Sequence, residues 1–181
     1  MNKSQIAIAA AVMVCGQASF AAAQPDRQEP MLDRLAGRWV LSGKLAGKET
    51  THDISADWTL NHGYLRLHEI SREKKPSGEP AYEAIIFIAY NSKTLDYTCL
   101  WLDSTSNEGL NAEGIAHARQ STNSLPFVFR DASGQVSFEN TFVYDPASNS
   151  WQWIMDNVEA GKRKPFGRVT LVKRRDKLPG S

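Results

Sequence analysis

The residue pair best placed for chemistry is Asp57 and His68, which a hairpin would bring together. The runs on either side of "LNHGYL" alternate apolar and polar residues, and the His-Gly between them suits a tight turn. Pairing Asn61 with Tyr64 across that turn places Asp57 opposite His68. An aspartate can orient a histidine that acts as a general base. Because the pair has no serine or cysteine in a recognisable nucleophile motif, a cross-strand ion pair on a solvated face is the favoured interpretation.

Two acidic residues, Glu139 and Asp156, form a second candidate pair. The segment "YDPASNSW" has good turn chemistry, and pairing Tyr144 with Trp151 across it places the two carboxylates opposite each other. Facing carboxylates can raise one pKa and support acid–base catalysis. The pair falls on the face opposite the aromatic residues, so we expect it at the surface with Arg168 neutralising it.

The histidines give no metal signature. His52, His62, His68 and His117 are spread over separate strands and a turn, without the close spacing of metal ligands. A single histidine could ligate haem, but nothing distinguishes His117 from a surface histidine. The sequence therefore predicts no metal site and no cofactor, with haem as an open alternative.

The first 23 residues have the order of a secretory signal peptide. Lys3 precedes an apolar run from Ile6 to Val14, and small residues follow at Ala21–Ala23. A lipid anchor at Cys15 is the alternative, but the residue before it is a valine where lipid attachment needs a small residue. Neither this run nor any later one is long enough to span a bilayer as a helix. We therefore expect an exported protein, periplasmic or secreted, with no integral membrane span.

Cleavage after Ala23 would leave 158 residues (181 − 23), enough for one domain with a real core. The 21 Lys and Arg fall to 20 with the loss of Lys3 and balance the 20 Asp and Glu. A neutral domain gains no general attraction to nucleic acid, so we predict no nucleic-acid partner. Cys99 is then the single cysteine, and its apolar surroundings favour a buried hydrophobe over a reactive thiol.

The rest of the chain reads as an all-β domain. After a short helical turn at "MLDRLAG", short runs of aromatic and β-branched residues alternate with turn signals. Across "YNSKTL", pairing Tyr90 with Leu95 sets Ile88 beside Tyr97. Short connections favour an antiparallel up-and-down barrel of about 8–10 strands, since closure removes exposed edges. The predicted organisation is a signal peptide (1–23), a linker (24–30), the barrel domain (31–175) and a C-terminal tail (176–181).

Several motifs carry a resemblance to a known family. They are the Gly37-Arg38-Trp39 triplet of the first strand, "AYNSKTLDYTCLWLDS", and "FRDASGQVSFENTFVYDPASNSWQW" with its closing "GRVTLVKR". With them the chain resembles an uncharacterised bacterial family of exported lipocalin-like (calycin-type) domains of unknown function. The resemblance covers nearly all of residues 31–175 and departs at Asn91-Ser92, where Asp-Pro is usual.

The resemblance implies a role for the opening triplet. In lipocalins the tryptophan of the first strand plugs one end of the barrel, and an arginine from the last strand lies across it. This implies that Gly37 and Trp39 belong to a barrel-end plug. Arg168 and Arg174 are both candidates for the covering cation, and the sequence does not choose between them.

A small closed barrel can enclose one small ligand. The apolar positions that the hairpin registers place inside are the predicted ligand-binding residues: Ile86, Ile88, Tyr97, Trp101, Phe138, Phe142, Trp153 and Met155. The favoured function is binding of a small apolar or amphiphilic molecule in the lumen. The alternatives are an envelope structural or interaction protein with a filled barrel, which would use loops such as "SREKKPSGEP", and thirdly an isomerase or hydrolase.

Overall fold

The computed structural model describes residues 29–106 and 109–174. The predicted signal peptide, most of the predicted linker and the predicted tail lie outside the described residues. The helix α1 begins at Pro30, the last residue assigned to the linker. None of the helices within the described residues is long and apolar enough to cross a membrane.

The fold is a closed, antiparallel, up-and-down barrel of ten strands with a short helix before the first strand, as predicted. Each strand pairs with its neighbours in the chain, and β1 pairs with β10 to close the barrel. The elements are α1 (Pro30–Leu35), β1 (Gly37–Leu45), β2 (Lys48–Thr59), β3 (Tyr64–Ser71), β4 (Glu83–Asn91), β5 (Asp96–Asp103), a 3₁₀ turn (Ala112–Gly114), β6 (Ile115–Ala118), β7 (Ser124–Arg130), β8 (Val136–Asp145), β9 (Ser150–Glu159) and β10 (Lys162–Lys173).

The period-two alternation of the strands puts one set of side chains inside. In β3, Leu65, Leu67, Glu69 and Ser71 are all buried, while the residues between them are exposed or partly exposed. Successive side chains of a strand point to opposite faces, so each strand supplies every second residue to the interior. Cys99 is among these interior residues, as predicted, and burial raises the pKa of its thiol.

One end of the barrel is closed by α1 and Trp39. The helix buries Met31, Leu32 and Leu35 against the barrel, and the indole Nε1 of Trp39 donates to the Leu35 carbonyl at 2.7 Å. Trp39 is fully buried. The plug position implied by the resemblance is therefore where this tryptophan lies.

The cation over Trp39 is Lys173, and the prediction of Arg168 or Arg174 was wrong. The Nζ atom of Lys173 lies 5.4 Å from the centroid of the Trp39 ring. The register of β1 against β10 pairs these two residues directly. Gly37, which precedes Trp39 by two residues, has φ +130°, a backbone conformation that other residues rarely adopt.

The two arginines have other contacts. Arg168 forms an ion pair with Asp156 on the outer face, as expected, whereas Glu139 pairs with Arg163 and not with Arg168. The backbone N–H of Arg174 donates to the Arg38 carbonyl at 2.9 Å. The β1–β10 register instead pairs Trp39 with Lys173.

The predicted register of the first hairpin was wrong by two residues. Tyr64 pairs with Thr59 and not with Asn61, so the loop contains four residues instead of two. Leu60, Asn61 and His62 take left-handed conformations with φ of 50°, 55° and 58°, which lengthens the turn. A shift of two residues keeps every side chain on its predicted face, but it changes which residues are opposite each other.

The β4–β5 hairpin was wrong in the same way, whereas the β8–β9 hairpin was right. Tyr90 pairs with Tyr97 instead of Leu95, because Leu95 is itself left-handed, with φ of 57°, and belongs to the loop. Tyr144 pairs with Trp151 as predicted. That register places Glu139 opposite Asp156, also as predicted.

Candidate functional site

The end of the barrel away from Trp39 contains a cavity of about 850 Å³ that is partly open to solvent. The last residue of β1, the start of β2 and the end of β3 form one wall. The ends of β5, β7 and β9 and the starts of β8 and β10 form the others, and residues from the connections after β3 and β5 line the mouth. This volume lies in the range of small-molecule sites.

Aromatic side chains form much of the wall: Tyr82, Trp101, Phe129, Phe138 and Phe166. The ring of Phe138 forms edge-to-face contacts with the rings of Phe129 and Phe166, with centroids 5.9 and 5.7 Å apart respectively. Trp101 packs edge-on against Phe129 at 6.4 Å. Such contacts between large rings hold the wall in a defined shape.

Two titratable side chains, His52 and Glu69, lie within this apolar wall. They are 4% and 2% exposed, and His52 Nδ1 lies 2.5 Å from Glu69 Oε1. His52 is on the inward face of β2 with Ile54 and Ala56, and Glu69 is on the inward face of β3. The pairing of β2 with β3 sets Ile54 opposite Glu69 and His52 opposite Ser71. His52 and Glu69 are therefore diagonal neighbours on the inner face of the two strands.

Thr50, the next inward residue of β2, extends this pair into a line of three groups. Its Oγ1 lies 2.7 Å from His52 Nε2. A neutral His52 that donates from Nδ1 to an ionised Glu69 has Nε2 free to accept from the Thr50 hydroxyl. A hydroxyl, an imidazole and a carboxylate in this order can transfer a proton from the hydroxyl, as in a catalytic triad.

The second carboxylate oxygen of Glu69, Oε2, differs from Oε1 in its hydrogen bonding. Oε2 is buried and has no hydrogen-bond partner among the residues that the structure describes. A buried carboxylate oxygen without a donor is costly, so Oε2 requires a donor from an ordered water, an ion or a ligand. Glu69 is among the residues that line the cavity, so a molecule inside it would lie beside this side chain.

Tyr82 supplies a hydroxyl next to the pair. Its ring stacks on His52 with centroids 5.7 Å apart, and its oxygen accepts from Trp101 Nε1 at 3.2 Å. Burial, together with the charges of Glu69 and Asp103, raises the pKa of Tyr82 above its ordinary value. The hydroxyl therefore keeps its proton and can donate it to a ligand.

The structure divides the eight predicted ligand-binding residues into two groups. Trp101, Phe138 and Met155 line the cavity. The other five lie outside the cavity lining in the buried core: Ile86, Ile88, Tyr97, Phe142 and Trp153.

Contacts in that core explain why it is filled. Phe142 stacks on Trp153 with centroids 4.4 Å apart, and the Tyr97 hydroxyl donates to Glu29 at 2.6 Å beside α1. These side chains pack against one another and so have roles in folding. For the three that line the cavity, ligand contact stays a prediction.

Asp57 and His68 are not partners, so the predicted dyad was wrong. Asp57 pairs with Arg38 at 3.2 Å, and His68 Nε2 lies 2.7 Å from Glu83 Oε1. The two-residue shift of the hairpin separates them, and both lie on the outer face. Each residue forms a surface ion pair with a different partner, so the cross-strand Asp57–His68 ion pair favoured above was wrong as well.

The sequence reasoning missed Thr50, His52, Glu69 and Tyr82. The sequence contains a signal for three of them. In β2, every second residue before Ala56 and Ile54 also points inward, which gives His52 and Thr50. In β3, the inward residue that follows Leu65 and Leu67 is Glu69. The pattern to look for is a titratable residue at a strand position where the alternation predicts a buried side chain. Tyr82 lies in the connection before β4, where no periodicity marks it.

The fold and the site together define a ten-stranded antiparallel β-barrel with a packed end and an open, ligand-sized cavity at the other. Within residues 29–106 and 109–174, no cluster of three or more His, Cys, Asp or Glu side chains is arranged to hold a metal ion. Comparison with models of known protein families gives no match, and comparison with curated proteins gives none either.

Proposed function

We propose that the protein binds a small amphiphilic molecule in the open cavity. The observation that carries the proposal is the buried, unpartnered Oε2 of Glu69 in a wall that is otherwise largely aromatic. Such a site takes an apolar body against the rings and a polar group at the carboxylate. A completely filled barrel, the main alternative, fits the Trp39 end but not the end with the 850 Å³ cavity.

Two variants test the cavity with a neutral fluorescent probe, N-phenyl-1-naphthylamine. Trp101 and Trp58 are both half-buried, and each donates from Nε1 to a side chain, Tyr82 and Asp33 respectively. Only Trp101 lines the cavity. We expect Trp101→Ala to weaken probe binding about tenfold, while Trp58→Ala leaves it unchanged.

Native mass spectrometry before and after solvent extraction provides an independent readout. A bound mass that the solvent releases would support the proposal and identify the ligand class. The proposal fails if the wild-type protein carries no ligand and takes up no probe, or if both tryptophan variants lose binding equally.

A second candidate, ester hydrolysis, is favoured by the line of Thr50, His52 and Glu69. His52 Nε2 would take the hydroxyl proton as Thr50 Oγ1 bonds to the ester carbonyl carbon. The imidazolium would then protonate the leaving alcohol, and water would hydrolyse the acyl-threonine. The Tyr82 hydroxyl is a donor for the developing oxyanion in the same cavity.

The matched variants for this activity are Thr50→Val and Thr51→Val. The two residues are neighbours in β2, and their side chains point to opposite faces of the strand, with Thr50 on the inner face. With p-nitrophenyl butyrate as substrate, hydrolysis that Thr50→Val abolishes and Thr51→Val preserves would establish the activity. A rate equal to that of buffer, or equal loss in both variants, would exclude it.

The protein is further proposed to be an exported member of the lipocalin-like family that its motifs resemble. Residues 1–23 and the family-like segments of the barrel support this. Expression of the full chain followed by mass measurement of the exported product tests it. A product that begins at Gln24 is expected, and a cytoplasmic product that retains residues 1–23 would contradict it.

A further inference from the structure

The charges around the cavity are strongly one-sided. The acidic residues that line it are Glu49, Glu69, Glu73, Asp103 and Glu113, and the residues that can carry positive charge there are Lys48 and His52. Glu49 has an ion-pair partner, Lys44, at 3.6 Å. In the described part of the chain, Glu73, Asp103 and Glu113 form no ion pair. Acidic side chains therefore predominate among the charged residues of the lining, although the chain as a whole is nearly neutral.

The innermost of these acids is also the one that requires a donor. Glu69 Oε1 is engaged by His52 Nδ1, and Oε2 faces no hydrogen-bond partner among the described residues. An ionised carboxylate only accepts hydrogen bonds, so a ligand carboxylate would meet repulsion and a plain hydrocarbon would leave the oxygen unsatisfied. An N–H or O–H group on the ligand would satisfy it.

The aromatic wall adds a second preference. Tyr82 stacks on His52 of the His52–Glu69 pair, Trp101 donates to Tyr82, and three phenylalanine rings complete the lining. The faces of aromatic rings attract cations, and the attraction grows where water is excluded. Rings and a buried carboxylate in one cavity favour a positively charged group over a neutral one.

We propose that the ligand is a cationic amphiphile whose primary ammonium group donates to Glu69 Oε2 while its apolar chain lies against the aromatic wall. This inference rests on the proposed binding function and names the class of ligand for the same cavity. It sets the site apart from one for fatty acids, whose carboxylate the acidic lining disfavours.

The test compares amphiphiles with the same twelve-carbon chain and different polar groups. Dodecylamine, dodecanol and dodecanoate are titrated below their critical micelle concentrations at pH 7 to displace N-phenyl-1-naphthylamine, with calorimetry as a second readout. We expect the amine to bind at least about tenfold tighter than the carboxylate, with the alcohol between them. Dodecyltrimethylammonium, which lacks an N–H, should bind more weakly than the amine.

The matched variants are Glu69→Gln and Glu83→Gln. Each glutamate lies within hydrogen-bond distance of a histidine ring nitrogen, but Glu69 is inside the barrel and Glu83 is on the outer face. Glu69→Gln should remove most of the preference for the amine, and Glu83→Gln should retain it. If Glu69→Gln does not fold, the ranking in the wild-type protein decides the question alone.

The outcomes separate the two proposals. Equal affinity for all three compounds, or tighter binding of dodecanol or dodecanoate, would overturn the cationic ligand and leave the binding function standing. Failure of every compound and of the probe itself would overturn the binding function. A preference for the amine that survives in Glu69→Gln would overturn the role of Oε2.

Discussion

His52 Nδ1 lies 2.5 Å from Glu69 Oε1 inside the barrel, with both side chains almost completely buried. Two titratable groups in such a position lose their hydration, and their mutual attraction compensates only when the geometry is good. Apolar residues at the two positions would fill the same space without that cost. A gain in stability is therefore a weak explanation for the pair.

This view can be tested through stability alone. Glu69→Leu leaves His52 buried without its partner and should lower the free energy of unfolding by about 3 kcal/mol. The double variant His52→Phe with Glu69→Leu removes both groups and should recover most of that loss. Urea denaturation followed by circular dichroism measures both. A double variant that is less stable than the single one would mean that the pair is primarily structural.

Two neighbouring tryptophans provide a matched test of a buried hydrogen bond. Trp153 Nε1 donates to Asn140 Oδ1, whereas Trp151 Nε1 has no hydrogen-bond partner among the described residues. Both indoles are fully buried, and Asn140 is buried as well. Trp153→Phe should therefore cost about 1–3 kcal/mol more than Trp151→Phe, because it leaves the Asn140 carbonyl unsatisfied. Equal losses in urea denaturation would show that the bond contributes nothing.

Gly43 is required where β1 meets β10. Its φ is +140°, and an added Cβ would lie 2.4 Å from the Arg168 carbonyl oxygen and 2.9 Å from Val169 Cα. Gly47, in the following turn, also has a positive φ, +80°, but an added Cβ there has nothing within 4 Å. We expect Gly43→Ala to destabilise by about 3 kcal/mol or more and Gly47→Ala by about 1 kcal/mol. Thermal unfolding of the two variants provides the comparison, and similar losses would contradict the close approach of β1 and β10.

The ion pair between Asp53 and Arg72 gives stability a defined pH dependence. The hydrogen bond from the Arg72 side chain lowers the pKa of Asp53. A depressed carboxyl pKa contributes stability that is fully present above the unfolded pKa and disappears as pH falls through the folded one. Asp53→Asn should consequently be less stable than wild type at pH 7 and equally stable near pH 2. A difference of the same size at both pH values would mean that the charge is not responsible.

The alternation of apolar and polar residues was enough to predict the barrel, and even wrong registers kept its interior correct. In the first two hairpins the error was two residues, which is one full period of a strand, so Leu67 and Ile86 still point inward. The lengths of these two loops could not be predicted, because the left-handed positions are occupied by Leu60 and Leu95 and not by glycine, the residue that usually marks such a turn. A non-glycine residue takes this conformation only when the surrounding strands stabilise it.

The candidate site was harder to predict for two reasons. Histidine and glutamate are rarely buried in a core, so the sequence pattern places candidate chemistry on polar faces, where Asp57 and His68 lie, and not at His52 and Glu69. The cation on Trp39 depends on how β1 meets β10, and residues so distant in the chain leave no local pattern. Periodicity predicts which face a residue occupies, but it does not predict which distant strand it contacts.

The pairing of β1 with β10 also has a consequence for how the chain acquires its structure. Every other pairing joins strands that follow one another, so hairpins can form as the chain emerges during synthesis. Until β10 has been made, β1 and β9 both keep a row of unpaired backbone groups, and such edges invite aggregation. A chain in this fold is therefore most vulnerable just before β10 is synthesised, when a chaperone that covers strand edges would protect it most.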